Sequence, residues 1–372
     1  MAGRSYSRSF LYPDSYHLYV YYQSPYGSRF QGLRGLPNYG LSCCVNALLQ
    51  SFSATQELLA LLNRWIENDS GALEKARNVP QQLQKALQAM QSDRFLPNPH
   101  QSFLYCLDRN HIPMSVQHDA DEVFISILNL IQEQMSDTEL AQQIKCLYMV
   151  KLEEHLQCNE CTYIQSGDTY MLSLPLPLSQ GSNTLEDCFR AFFELQELDN
   201  EERCFCDRCG EKTPSKQGLK LIYLPSVVCV HLKRFHYDHG RTEKMHCEVS
   251  FPQALDFNTI LKPEQVSQSS KQSRSEWQYK LYAVIVHCGT AMFGHYTAYI
   301  KPDGDIWYHA NDSRVSQMTW ADVEGTFGGS KGGDTAYMLL YRRTKEETEP
   351  DGRRNIGERN SRTEFSPNQQ RK

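Results

Sequence analysis

A chain of 372 residues exceeds the length at which one hydrophobic core usually stops growing, which leaves one large enzyme-like domain or two domains. With 40% hydrophobic and 22% charged residues it reads as globular, and a net charge of -6 argues against nucleic acid as its partner. Thirteen cysteines in so long a chain without an export signal suggest reduced thiols used for chemistry or metal, in a cytoplasmic or nuclear setting, rather than a disulfide framework.

In chain order, residues 1–31 are rich in Tyr, Ser and Arg with no sustained period, and residues 344–372 are charged and nearly free of large apolar side chains; both are expected to be disordered tails. These flanks carry +2 and +1, leaving about -9 for the core at 32–343. Residues 43–66 place Val45, Leu48, Leu49 and Phe52, then Leu58, Leu59 and Leu62, at helical spacing. QQLQKALQAM at 81–90 and the run from Ala120 to Leu130 repeat that pattern, so the first third is expected to be mainly α.

After about residue 145 the chain breaks into short β-like runs: LYMVKLEEHLQC, TYMLSLPL, LKLIYLPSVVCVHLKRF, EVSFP, YKLYAVIVHCG, HYTAYI and DTAYMLLYRR. The longest apolar stretches, such as SVVCV and YAVIV, fall far short of the ~20 residues of a spanning helix, so no membrane span is expected. The polar segment at 262–278 reads as a surface excursion. GGSKGG at 328–333 reads as a flexible connection, because Gly follows Lys331 and the spacing of a phosphate cradle fails.

Three places carry chemistry. Ser42 is a good N-cap candidate, so Cys43 falls in a first helical turn, where unpaired N–H groups and the helix dipole favour a thiolate. Cys44 is rotated from it by about 100°. Among twelve histidines, His295 follows Gly294 at the start of a strand pattern, where a base can be held rigidly. Either Asn311 or Asp312 could orient its imidazole. Finally, Cys158-x-x-Cys161 and Cys206-x-x-Cys209 form two hooks that together offer four sulfurs to a structural zinc, with Cys204 as an alternative ligand. Four sulfurs close the coordination shell, so no catalytic cofactor is expected.

PNYGLSCCVNALLQ resembles the Cys box of the ubiquitin-specific proteases, and QHDADEVF, HLKRF, YAVIVHCG, GHYTAYI, WYHANDSRV and DTAYMLLYRR match further boxes in the family's order. The resemblance implies an α+β, papain-like cysteine protease. Its helical thumb would lie at about 32–140, its zinc-bearing fingers at about 145–250, and a sheet-rich palm in the remainder. It assigns Cys43 as nucleophile, His295 as base, Asn311 as orienting residue and Asn38 as oxyanion donor. Asp119 and Glu122 match the acidic pair that meets the Arg-rich tail of the modifier. Leu41, Ser42, Cys44 and Ala310 depart from the usual pattern without removing a catalytic type.

The double cysteine, VQHDA, the CFC-x-x-CG spacing and KTPSKQGLKL are similar to one interferon-induced branch of the family. That branch cleaves the two-ubiquitin-fold modifier encoded by interferon-stimulated gene 15, and it also binds an interferon receptor subunit. By that resemblance His231, Asp121 and Ile125 would contact the modifier, although Asp121 stands where a small apolar residue is expected. Ubiquitin is the alternative substrate, and a monomer is expected.

Overall fold

The computed structural model describes residues 29–344 except 31–32, 66–74, 93–95, 97, 239, 303 and 331–332. The expected tails therefore lie outside the described residues apart from Arg29, Phe30 and Thr344. Arg29 and Phe30 are not tail: they pair antiparallel with Leu33 and Arg34.

Among the described residues, six α-helices build the first half: α1 Cys43–Ala54, α2 Gln56–Arg64, α3 Val79–Gln91, α4 Gln101–Arg109, α5 Ala120–Gln134 and α6 Thr138–Tyr148. The periodic stretch from 43 is two helices rather than one. At Thr55 the backbone leaves helical geometry (φ -86°, ψ 86°), and the hydroxyl bonds the Ser51 carbonyl and Tyr282 across the core. Short side-chain caps start α3, α5 and α6: Asn78 accepts from Gln81 N–H, Asp119 from Asp121 N–H and Asp137 from Leu140 N–H. Leu147 and Tyr148, expected to open a strand, instead close α6, where both are buried against the helical core.

The strands form two main sheets. A four-stranded antiparallel sheet runs in the order β2-β1-β5-β4, where β1 is Val150–Cys158, β2 Ile164–Met171, β4 Gln196–Leu198 and β5 Ser215–Tyr223. The larger sheet takes β3 Leu174–Leu176, β6 Val227–Leu232, β7 Ala254–Asp256, β8 Gln278–Gly289, β9 Gly294–Ile300, β10 Trp307–Asn311, β11 Arg314–Met318 and β12 Thr335–Arg343. Its order is β11-β10-β9-β8-β12-β6-β3, with β7 on the free flank of β8. The stretch at 145–250 is thus shared, because β3 and β6 join the large sheet in a parallel pair.

Both faces of the large sheet are covered, which explains the unbroken apolar runs of β8 and β12. Ala283, Ile285, Met338 and Leu340 face the helices, while Val284, Val286, Leu339 and Tyr341 face a second core with Phe189, Phe257 and Trp277. Trp277, 1% exposed, also corrects the reading of 262–278: that polar segment ends in a core anchor.

Candidate active site and metal centre

Every residue of α1 is buried, polar ones included. Those polar groups grip the loop before the helix: Gln50 Nε2 donates to the Arg34 carbonyl at 2.7 Å, and Asn46 Nδ2 donates to Leu36 at 3.1 Å. From α4, His100 Nε2 meets the Pro37 carbonyl at 3.0 Å. Burial lowers the His100 pKa to about 4, so the ring is a neutral fixture at ordinary pH. Gly35 is required here, since a Cβ would come within 2.1 Å of the Ser313 carbonyl oxygen.

Cys43 is the first residue of α1 and is 4% exposed. Ser42 occupies the N-cap position without capping. Its hydroxyl accepts from Tyr39 N–H at 2.9 Å and donates to Asn38 Oδ1 at 3.0 Å, so no side-chain cap shields the helix start. Cys44 points into the core, 1% exposed, where burial raises its thiol pKa well above the ordinary value.

His295 is the second residue of β9, and its imidazole interacts with Cys43. Its Nε2 lies 2.9 Å from Asn311 Oδ1 and 3.9 Å from Asp312 Oδ2. Burial alone would lower its pKa, but the Cys43 hydrogen bond and charge, with Asp312 and Asn311 behind them, raise it to about 9. Asn311 and Asp312 make different contacts. Asn311 touches the imidazole, whereas Asp312 braces the loop by accepting from Asn38 Nδ2 at 3.0 Å and Asn46 Nδ2 at 2.8 Å. Asp312 adopts φ +47°, a left-handed turn that Asp tolerates better than most residues. It therefore points back toward α1 from the end of β10.

A Cβ at Gly294 would sit 2.0 Å from His287 Nε2, so its bareness makes room for a buried histidine. Tyr296, the residue after His295, is 1% exposed and belongs to the core. Asn46 was missed in the sequence as a site residue. Its spacing of three from Cys43, one helical turn, is the signal that could have found it.

The residues matched to modifier contact cluster at α5. Asp119 caps the helix and its Oδ2 accepts from Tyr337, while Glu122 is exposed one turn in. Asp121 and His231 face one another, with Oδ2 and Nδ1 3.1 Å apart, and little of either remains exposed. Ile125 is half-buried against the helical core.

Cys158, Cys161, Cys206 and Cys209 meet at the tip of the four-stranded sheet, their sulfurs all within 4.8 Å of one another. The Cys158–Cys209 and Cys161–Cys206 pairs are 3.9 and 3.6 Å apart, close to the ~3.8 Å edge of a zinc tetrahedron with bonds of about 2.3 Å. The Thr213 hydroxyl and the Cys161 and Glu160 N–H groups hold the Cys158 thiol down at about 6. Hydrogen bonding to Cys161 and the crowding of sulfur push Cys209 up to about 12, a repulsion that a dication removes. The donor set fits zinc. Cys204 is outside it, turned toward the Glu202 carbonyl at 3.8 Å.

Among the described residues no helix is long and apolar enough to cross a membrane. A family model described as "Ubiquitin carboxyl-terminal hydrolase" matches residues 34–341. The chain is 41% identical over 320 residues to the Ubl carboxyl-terminal hydrolase 18 of Mus musculus, covering 84% of this chain and 86% of that one. It is 38% identical over 317 residues to the Homo sapiens protein of the same name, covering 83% and 85%. Among solved structures, the SAGA DUB module of Ubp8, Sgf11, Sus1 and Sgf73 bound to monoubiquitin superposes with a TM-score of 0.70 at 22% identity, covering 84% of this chain and 70% of that one. The length of the family match and the identity to its curated members lead to one conclusion: this chain belongs to the ubiquitin carboxyl-terminal hydrolase family, the cysteine proteases that act as isopeptidases.

Proposed function

We propose that the protein removes a ubiquitin-like modifier from lysines of target proteins, with the interferon-stimulated gene 15 modifier as its substrate, and that it thereby damps interferon signalling. The observation that carries the catalytic part is the convergence of Cys43, His295 and Asn311 at hydrogen-bonding distance around a histidine lifted to about 9. Modifier identity is supported by relatives whose name specifies a "Ubl" rather than a ubiquitin hydrolase.

In this mechanism His295 holds the proton given up by Cys43, and the thiolate attacks the carbonyl carbon of the modifier's terminal glycine. The oxyanion is met by backbone N–H at the start of α1 and by Asn38, whose amide Asp312 aims. The C–N bond breaks as His295 returns the proton to the lysine amine. Water, deprotonated by His295, then hydrolyses the thioester and regenerates the thiol. Zinc, held by Cys158, Cys161, Cys206 and Cys209, would tie the two fingertip turns together and take no part in the reaction. Asp119 and Glu122 meet the modifier's cationic tail. The protein works as a monomer in cytoplasm and nucleus, and its further partner is an interferon receptor subunit.

The deciding experiment compares cleavage of ubiquitin and of the interferon-stimulated gene 15 modifier, each carrying the same C-terminal fluorophore. Faster release from the latter is expected, and equal rates would reduce the reading to a general deubiquitinase. Suppression of interferon signalling that survives Cys43→Ala would detach the regulatory part from catalysis.

A further inference from the structure

Asp119 and Asp121 stand two residues apart at the start of α5, and both lead to the same phenol. Asp119 Oδ2 accepts from Tyr337 on β12. The Tyr337 oxygen also lies 2.9 Å from Nε2 of His231 on β6, and Nδ1 of the same ring lies 3.1 Å from Asp121 Oδ2. A phenol has one hydrogen, and the Asp119 contact takes it, so toward His231 the phenol accepts and Nε2 donates; the Nδ1 contact with Asp121 is then a charge pairing of the doubly protonated ring. The path therefore runs out of α5 through Asp119, across two neighbouring strands, and back into α5 through Asp121.

The centre of the path is dry. Tyr337 is 0% and Asp121 8% exposed, and the rings of Phe235 and His231 pack on Tyr337 at centroid distances of 5.1 and 4.9 Å. Away from water such bonds fix geometry strongly, and a broken one leaves an expensive unpaired group. What the path fixes is the turn that carries Glu122. The Glu122 N–H donates to Asp119 Oδ1 at 3.3 Å, so the cap that Tyr337 holds also sets where the exposed Glu122 carboxylate stands.

We infer that Tyr337 and His231 are positioning residues for the modifier's cationic tail, acting through Asp119 and Glu122 without touching the tail. Asp121 closes the brace. The inference rests on the proposed reading of Asp119 and Glu122 as the groups that meet that tail.

The test uses the full-length protein and steady-state cleavage of the interferon-stimulated gene 15 modifier and of ubiquitin, each bearing a C-terminal fluorophore. Tyr337→Phe keeps the ring and removes both the hydrogen bond to the Asp119 carboxylate and the one shared with His231. It is expected to raise KM about tenfold while kcat stays within about twofold. His231→Gln, which leaves the phenol in place, is expected to raise KM by less, and it serves as the second test should Tyr337→Phe fold poorly. Glu122→Gln should raise KM by itself, and Tyr337→Phe should add little to it in the double variant. If Glu122→Gln raises KM while Tyr337→Phe and His231→Gln leave it unchanged, or lower kcat instead, the positioning role is wrong. If Glu122→Gln leaves KM unchanged, the tail reading itself fails and the inference falls with it.

Discussion

Cys43 and the four fingertip cysteines are both sulfur sites, yet the chain assembles them differently. Around Cys43, groups come from a loop at Asn38, the start of α1, the start of β9 and the end of β10, with Asp312 stitching them together. At the fingertips, two turns suffice: Cys158 and Cys161 flank the turn between β1 and β2, and Cys206 and Cys209 flank a second hairpin turn closed by Gly210 at φ +73°. The first site is a product of the whole domain, whereas the second is two local hooks brought face to face by β1 and β5. A lesion in the fingers should therefore unfold locally, and a lesion near Cys43 should stop chemistry while the fold stands.

The largest effect sought is at Cys43. Cys43→Ala should reduce turnover of a fluorogenic modifier by at least ~10³-fold with the melting temperature nearly unchanged, since the nucleophile has no substitute. Equal loss in Cys44→Ala would break the distinction between the two adjacent cysteines. Next is the metal. Cys206→Ser should abolish the single zinc equivalent and open the segment from 158 to 209 to proteolysis, because structural zinc contributes on the order of 10 kcal/mol to its folded turns. Labelling of Cys43 by a small electrophile should persist in that variant. Loss of both together would show that the two sites are coupled.

A smaller effect is expected at the brace. Asp312→Asn should lower kcat by about 10–100-fold, within the range of a misplaced oxyanion donor, through release of Asn38. It should also shift the pH profile. His295 is raised from 6.5 to about 9, so the stabilisation from its pairing with Cys43 is complete below pH 6.5 and is lost as pH rises through 9. Activity should fall on that basic limb, and removing the Asp312 charge should move the limb to lower pH. The smallest effect is Cys44→Ala, which trims one buried sulfur and should cost about 1 kcal/mol in a denaturation midpoint with kcat preserved.

Much of the site was legible before the fold, though unevenly. The fingertip ligands followed from two Cys-x-x-Cys spacings, a pattern whose chemistry is complete within each hook. Cys43, His295 and Asn311 were legible as residue types in suitable local settings, and similarity of motif order joined them. Asn46, His100 and Tyr337 were not, because a buried polar residue on a helix or strand looks in sequence like a solvated one. Their partners lie 10, 63 and 218 positions away.

By itself, then, the sequence determined the helical and sheet-rich halves, the helix start that carries Cys43 and the two Cys-x-x-Cys hooks. Each of these rests on periodicity or spacing within a few turns of chain. Only the tertiary structure decided that Asn311 rather than Asp312 meets the imidazole, that Ser42 serves Asn38 instead of capping α1, and that Asp121 and His231 face each other. Those outcomes depend on which side chains meet across α1, α5, β6, β10 and β12, and a contact between distant segments is set by packing that no local pattern encodes.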